Sequence, residues 1–272
     1  MRWRAALALA VLAGLGAQAG CSRSEKTRIV LTGSSTIAPL MTEIGRRYEA
    51  KHPDVRVDVQ SGGSSRGVAD ARQGQADVGM VSRALKPDEA DLTGTPIARD
   101  GIALIVHRDN PVQALSRAQV VGIYTGQIKR WSAVGGADRD IVVVNKAEGR
   151  STLELFLSHF QLKNEQIAAQ VVIGDNEQGI KTVAGNPDAV GYVSIGTAEY
   201  DAGRGVPIRL LPLEGVEATH ANVQAGRFPL SRVLLLVTKG EPSGPARQLI
   251  EFARSAEVRD LVEQQSFVPL AP

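Results

Sequence analysis

The chain reads as an α/β protein of two lobes, and three observations predict it. Strand-like, β-branched runs alternate with segments of helical periodicity, the pattern of a parallel α/β sheet. Three of the strand-to-helix turns carry glycine followed by hydroxyl residues: Gly33-Ser34-Ser35-Thr36, Gly62-Gly63-Ser64-Ser65 and Gly149-Arg150-Ser151-Thr152. The third turn lies beyond an apolar run at 102–107, and a later apolar run at 233–237 can carry the chain back. Two crossings between two lobes follow. The expected boundaries are 28–103 plus 231–272 for lobe I, built from both chain ends, and 104–230 for lobe II.

The elements follow in order. Ile29-Val30-Leu31 is a buried-type strand entering the first turn. Ile37, Leu40, Met41, Ile44 and Tyr48 then repeat at helical spacing, with Pro39 tolerated in the first turn. That helix ends before Pro53. Val55, Val57 and Val59 alternate as a strand that leads into the second turn and a helix over about 65–73. Residues 77–82 and 102–107 make further strands, and Ser116 caps a helix through Tyr124. Ile141 to Val144 is a strand aimed at the third turn, where Leu153, Phe156, Leu157 and Phe160 stripe the next helix. Residues 190–193 and 233–237 read as strands, and 244–264 as a final helical stretch. Trp131 reads as a core anchor.

The first twenty residues are a different polymer. Arg2 and Arg4 precede a short apolar run from Ala5 to Leu15, and small residues then lead to the single cysteine, Cys21. This is an export signal at 1–20, too short to span a bilayer, with a polar tether at 21–27. Ala19-Gly20-Cys21 resembles a lipoprotein box, although Gln18 stands where leucine is usual. Ala17-Gln18-Ala19 also satisfies an ordinary cleavage site. A lone cysteine without a disulfide partner favours lipidation at Cys21 and a location in the periplasm or on the outer cell surface. Without Arg2 and Arg4, 29 basic residues face 29 acidic ones, so net charge gives no support to nucleic-acid binding. Aromatic content of 4% argues against a stacking surface for carbohydrate or bases.

The three turns share one chemistry. Glycine allows a sharp bend, the hydroxyls can cap a helix start, and the first-turn N–H groups lack intrahelical partners. Such a terminus holds an anion. A single turn of this kind is ordinary capping; three of them point to convergence on one oxyanion. The candidate hydroxyl ligands are Ser35, Thr36, Ser64, Ser65, Ser151 and Thr152, with Ser34 and Gly63 beside them. Arg150 and Arg83 are candidate cations, since a guanidinium fork matches two oxygens of a tetrahedral anion. Arg66 and Lys146 read equally as ligands or as surface cations. Gly63-Ser64-Ser65-Arg66-Gly67 also satisfies the nucleophile-elbow pattern, which makes a hydrolase using Ser65 with His220 or His159 the enzymatic alternative. The scattered histidines show no metal-ligand spacing, and no phosphate loop of the Gly-Lys-Ser/Thr type exists. No catalysis, metal or cofactor is expected.

With these residues in hand, the chain resembles the PstS-like phosphate-binding lipoproteins of bacterial ABC importers. The carrying motifs are Thr32 through Pro39, Gly62 through Gly67, Ala76 through Arg83, Tyr124-Thr125-Gly126 through Trp131, and Glu148 through Thr152. The resemblance implies a two-lobed, hinged periplasmic-binding-protein fold of type II with the ligand in the interlobe cleft. It implies a monomer that binds inorganic phosphate and delivers it to the membrane subunits of a permease. Position by position it implies Ser35, Thr36, Ser64, Ser65, Arg150, Ser151 and Thr152 as ligands. Two positions depart from the family: Arg83 stands where well-known members carry aspartate, and Lys146 where they carry arginine. That aspartate accepts the proton of monohydrogen phosphate and repels sulfate. Sulfate or another tetrahedral oxyanion is therefore the alternative ligand, and a regulatory or adhesive relative without tight binding is a third reading.

Overall fold

The structure, a computed structural model, describes residues 26–270. The signal at 1–20, Cys21 and most of the tether lie outside the described residues. Lobe I opens with β1 (Thr27–Gly33), α1 (Ala38–Lys51), β2 (Val55–Ser61), α2 (Ser64–Gln73) and β3 (Val78–Val81). The long strand β4 (Leu92–His107) leads to α3 (Arg117–Tyr124), β5 (Val142–Lys146), α4 (Ser151–Phe160), β6 (Val171–Ile173), α5 (Asn176–Ala184), β7 (Ala189–Ser194), α6 (Ile195–Gly203), β8 (Ile208–Leu210) and α7 (His220–Gln224). The chain returns along β9 (Ser231–Lys239) and finishes with α8 (Gly244–Ala253), α9 (Arg259–Gln264) and β10 (Val268–Pro269).

The strand order is β2-β1-β3-β9-β4-β7-β5-β6. β1 pairs parallel with β2 and β3, as the alternating β-α pattern requires. β9 enters antiparallel between β3 and β4. β4 is the element that joins the lobes: Leu92 to Gly101 pairs with β9, and Ile102 to Val106 pairs with β7. Its polar first half carries Pro96, which the ladder accommodates at an irregularity between Pro96 and Ala98. The sequence marks only the apolar second half of this strand. The expected helical stretch at 244–264 is two helices, because α8 stops at Ala253 and Ser255 caps a short 3₁₀ turn before α9.

The hydrophobic residues divide where the chain crosses. One core gathers Leu31, Met41, Ile44, Met80, Leu236 and Leu249 with their neighbours; the other gathers Tyr124, Trp131, Phe156, Tyr192, Leu211 and Phe228. Along β4 the change of core falls between Ala98 and Ile102, and on the return between Leu230 and Leu234. A further cluster around Ile105, Val144, Ile180 and Val193 packs α5 and α6 against β4, β5 and β7. Each fully buried large apolar side chain contributes about 1.5–3 kcal/mol, so each lobe holds a core of its own. The Trp131 indole N–H donates to the Asp188 carbonyl at 2.9 Å and fixes this anchor in lobe II.

Candidate functional site

The three glycine-hydroxyl turns meet at the seam between the lobes. Gly33 has φ of +129°, and a Cβ there would lie 2.3 Å from the Met80 carbonyl oxygen. Only glycine fits this approach of α2 to β1 and β3. The Gly33 carbonyl accepts from the amides of Gly62 and Gly63 at 2.7 and 2.8 Å, which ties the first turn to the second. Gly63, at φ of +96°, faces lobe II, where a Cβ would sit 2.6 Å from the Gly149 carbonyl. The Ser65 amide donates to that carbonyl across the seam at 3.2 Å.

The hydroxyls do not cap their own helices. The N-cap positions of α1, α2 and α4 are Ile37, Gly63 and Arg150, and none makes a side-chain cap hydrogen bond. By contrast α3, α5, α6 and α7 are capped by Ser116, Asp175, Ser194 and Thr219. At the three turns the hydroxyls face one another instead. Ser34 Oγ donates to Ser82 Oγ at 3.0 Å, the Ser82 amide donates to Ser64 Oγ at 3.1 Å, and Ser151 Oγ donates to Ser64 Oγ from the other lobe. All are buried. Taken singly each hydroxyl reads as a cap; as a set they turn to one another instead.

The cluster is centred on a cation that the sequence did not reveal. Arg232, on β9, faces Asp100 on β4 as a direct cross-strand pair, and both side chains are 1% exposed. Its Nε and Nη2 donate to Asp100 Oδ2 at 3.0 and 2.7 Å. Nη1 donates to Thr152 Oγ1 at 3.0 Å and Nη2 to Thr36 Oγ1 at 3.1 Å, so this guanidinium touches both lobes. Asn176, at the start of α5, was also missed; its Nδ2 donates to Thr36 Oγ1 at 3.1 Å. A signal existed for Asn176: Ile173-Gly174-Asp175-Asn176 is a fourth strand-glycine-helix turn.

These contacts fix hydrogen-bond polarity. Thr36 Oγ1 accepts from Arg232 and Asn176, and Ser64 Oγ accepts from Ser82 and Ser151. A hydroxyl has two acceptor lone pairs, so each of these has only its proton left to offer. Arg150 adds a buried Nε that has no hydrogen-bond partner among the described residues. The site is an array of donors.

Lys146 belongs to the same region and is not a surface cation. It is 2% exposed, and its Nζ donates to the Asp175 carbonyl at 2.8 Å and to Asn176 Oδ1 at 3.1 Å. Burial pushes its ammonium down to about 7; Asp175 opposes the shift, while the charges of Arg232 and Arg150 add to it.

Four expected residues stand apart from the hydroxyl cluster. Arg83 is buried, but Glu89 takes both its Nη groups at 2.7 and 2.8 Å, so its fork is already filled. Arg66 pairs with Asp70 at 3.1 Å on the surface of α2, with half its side chain exposed. Ser35 lines an interlobe groove of about 300 Å³ with Ala38, Thr42, Asp175 and Asn176, beside the cluster. Ser65 Oγ donates to Glu154 Oε1 at 3.2 Å. The two histidines of the enzymatic alternative are engaged elsewhere: His220 Nδ1 contacts the Ser266 carbonyl at 3.1 Å, and His159 Nε2 lies 3.2 Å from Glu214.

A donor-lined, cation-centred seam between two lobes is built to receive an anion. Comparison with known proteins agrees. Residues 21–257 match the family model described as the PBP superfamily domain, and the chain belongs to that family. A substrate-binding protein of Clostridium perfringens, solved with bound phosphate, is 32% identical over 90% of this chain and all of its own, with a TM-score of 0.83. An ABC-type phosphate transport receptor from Vibrio cholerae is 30% identical over 89% of this chain and all of its own, with a TM-score of 0.73. The phosphate-binding protein PstS of Bacillus subtilis is 26% identical over 89% of this chain and 80% of its own length.

Proposed function

We propose that this protein is the extracytoplasmic substrate-binding component of a phosphate ABC importer, and that it carries inorganic phosphate between its lobes. The observation that carries this reading is the Arg232 guanidinium, which is held by Asp100 and reaches hydroxyls of both lobes at once. Phosphate oxygens would replace hydroxyl-to-hydroxyl contacts with bonds from Thr36, Ser64, Ser151, Thr152, Arg150 and Arg232, and the closed lobes would exclude water. In that dry setting each charge-assisted bond is worth about 1.5–3 kcal/mol. Lobe movement about the two crossings near 98–102 and 230–234 opens the seam. Anchoring through a lipidated Cys21 and delivery to permease membrane subunits complete the reading. The named phosphate receptors among its relatives support it.

One observation favours a second ligand. Arg83 replaces the family's aspartate, and the Asp100 carboxylate is occupied by Arg232 and by the Gly196 amide at 3.2 Å. A fully ionised oxyanion such as sulfate meets no free carboxylate among the residues of the cluster. Calorimetric titration of the ligand-stripped mature chain with phosphate and then sulfate at neutral pH tests both. Phosphate binding that sulfate does not displace supports the first reading, and equal binding supports the second. Binding of neither anion overturns both.

A further inference from the structure

The Arg83 guanidinium sits between two carboxylates. Glu89 grips it from the same lobe with both oxygens, and the Ala84 carbonyl accepts from Nη1 at 3.0 Å. Its remaining edge faces the other lobe, where Nε lies 2.9 Å from Glu154 Oε2. That contact is ionic, since neither atom has a hydrogen-bond partner. Lys86 Nζ lies 3.0 Å from the same oxygen, and Ser65 donates to Glu154 Oε1. One carboxylate of lobe II therefore meets three groups of lobe I.

We propose that Glu154 is a closure clasp, a positioning residue that holds the two lobes together through Arg83, Lys86 and Ser65 without touching the anion. The proposal rests on the interlobe receptor reading. Two features make the clasp reversible. Arg83 stays paired to Glu89 when the lobes part, so opening strands no buried guanidinium, and such a stranded charge is the main cost of breaking a buried pair. Glu154 lies in the first turn of α4, where the positive end of the helix dipole stabilises a carboxylate exposed by opening. The charges balance: two cations and Glu89 on lobe I carry a net single positive charge against Glu154.

Glu154→Ala and the near-isosteric Glu154→Gln test this in the mature protein by two readouts. Hydrogen exchange over residues 63–67 reports the interlobe bond from the Ser65 amide to Gly149, and stopped-flow measurement reports phosphate release. With Glu154→Ala we expect exchange at 63–67 to quicken with or without phosphate. Phosphate release should rise about tenfold with association unchanged, the pattern of a lost closed-state contact. Global unfolding should keep its midpoint, and Glu154→Gln should fall between the variants because it keeps the Ser65 bond and loses the charge. Wild-type exchange at 63–67 in Glu154→Ala overturns the clasp. Complete loss of phosphate binding in Glu154→Gln also overturns it, by making Glu154 a ligand. If wild-type protein binds no phosphate, the receptor reading fails separately, and the exchange readout still decides the clasp.

Discussion

Arg232 and Arg83 are both buried, both paired to a buried carboxylate and both set at the seam between the lobes, yet they do different work. Asp100 engages Arg232 through one oxygen, at Nε and Nη2, and leaves Nη1 and part of Nη2 for hydroxyls. Glu89 engages Arg83 with both oxygens across both Nη groups and leaves only Nε. Residue type is equal in the two regions; the side from which the carboxylate approaches decides which arginine has donors to spare. The Glu89 carboxyl records this grip. Burial pushes its pKa up, but hydrogen bonds from Arg83 and the Lys86 amide outweigh burial and leave it lowered.

Substitution can sharpen the contrast. Arg232→Ala should have the largest effect, because it strands Asp100 in the core and removes the central donor. Folding should lose about 3–5 kcal/mol by chemical denaturation, and calorimetry should detect no phosphate binding. Arg83→Ala should also destabilise, by roughly 3 kcal/mol, by stranding Glu89; here, however, phosphate should still bind, and Arg83→Met with Glu89→Gln should recover stability. Loss of binding in that double variant would erase the distinction between the two arginines. Next comes Ser64→Ala, which removes one donor to the anion and should weaken affinity by about 1.5–3 kcal/mol in the same titration.

Lys146 offers a test by pH. Its folded value of about 7 lies below the ordinary 10.5, so between those values the unfolded chain holds the extra proton. Stability therefore rises as pH climbs from about 7 towards 10.5, and the destabilisation is complete below 7. A bound anion restores the charge, so phosphate binding near pH 8 should take up a proton, measured as a dependence of the binding heat on buffer ionisation. Lys146→Met should abolish that uptake and flatten the stability profile. Arg66→Ala should do least: an exposed i,i+4 pair changes folding by about 0.3–0.5 kcal/mol, and affinity should not move.

The parts of this site that sequence made legible are those written in consecutive residues. Glycine followed by hydroxyls reads directly as a strand-to-helix turn, and Leu153, Phe156 and Phe160 place a helix behind the third one. Arg232 was not legible, because it begins an apolar strand and reads as an edge charge. Asp100 sits in the half of β4 whose threonine, glycine and proline obscure strand alternation. Their partnership exists only in the antiparallel register, across 132 positions. Arg83 shows the opposite: it reads as a candidate cation at the end of its strand, and only the structure reveals that Glu89, six residues on, takes both its Nη groups. Lys146 could not be assigned until burial was known.

The pairing of Asp100 with Arg232 sits on the two strands that pass between the lobes. One charge of the site is therefore carried on the axle of the molecule, while the hydroxyls and Arg150 ride on the jaws. On the proposed reading, jaws that swing apart would withdraw their serine, threonine and Arg150 contacts and leave the anion moored to the pivot. Unloading would then need a group that competes with the Arg232 guanidinium for the anion, which water or a positively charged receiving surface can do.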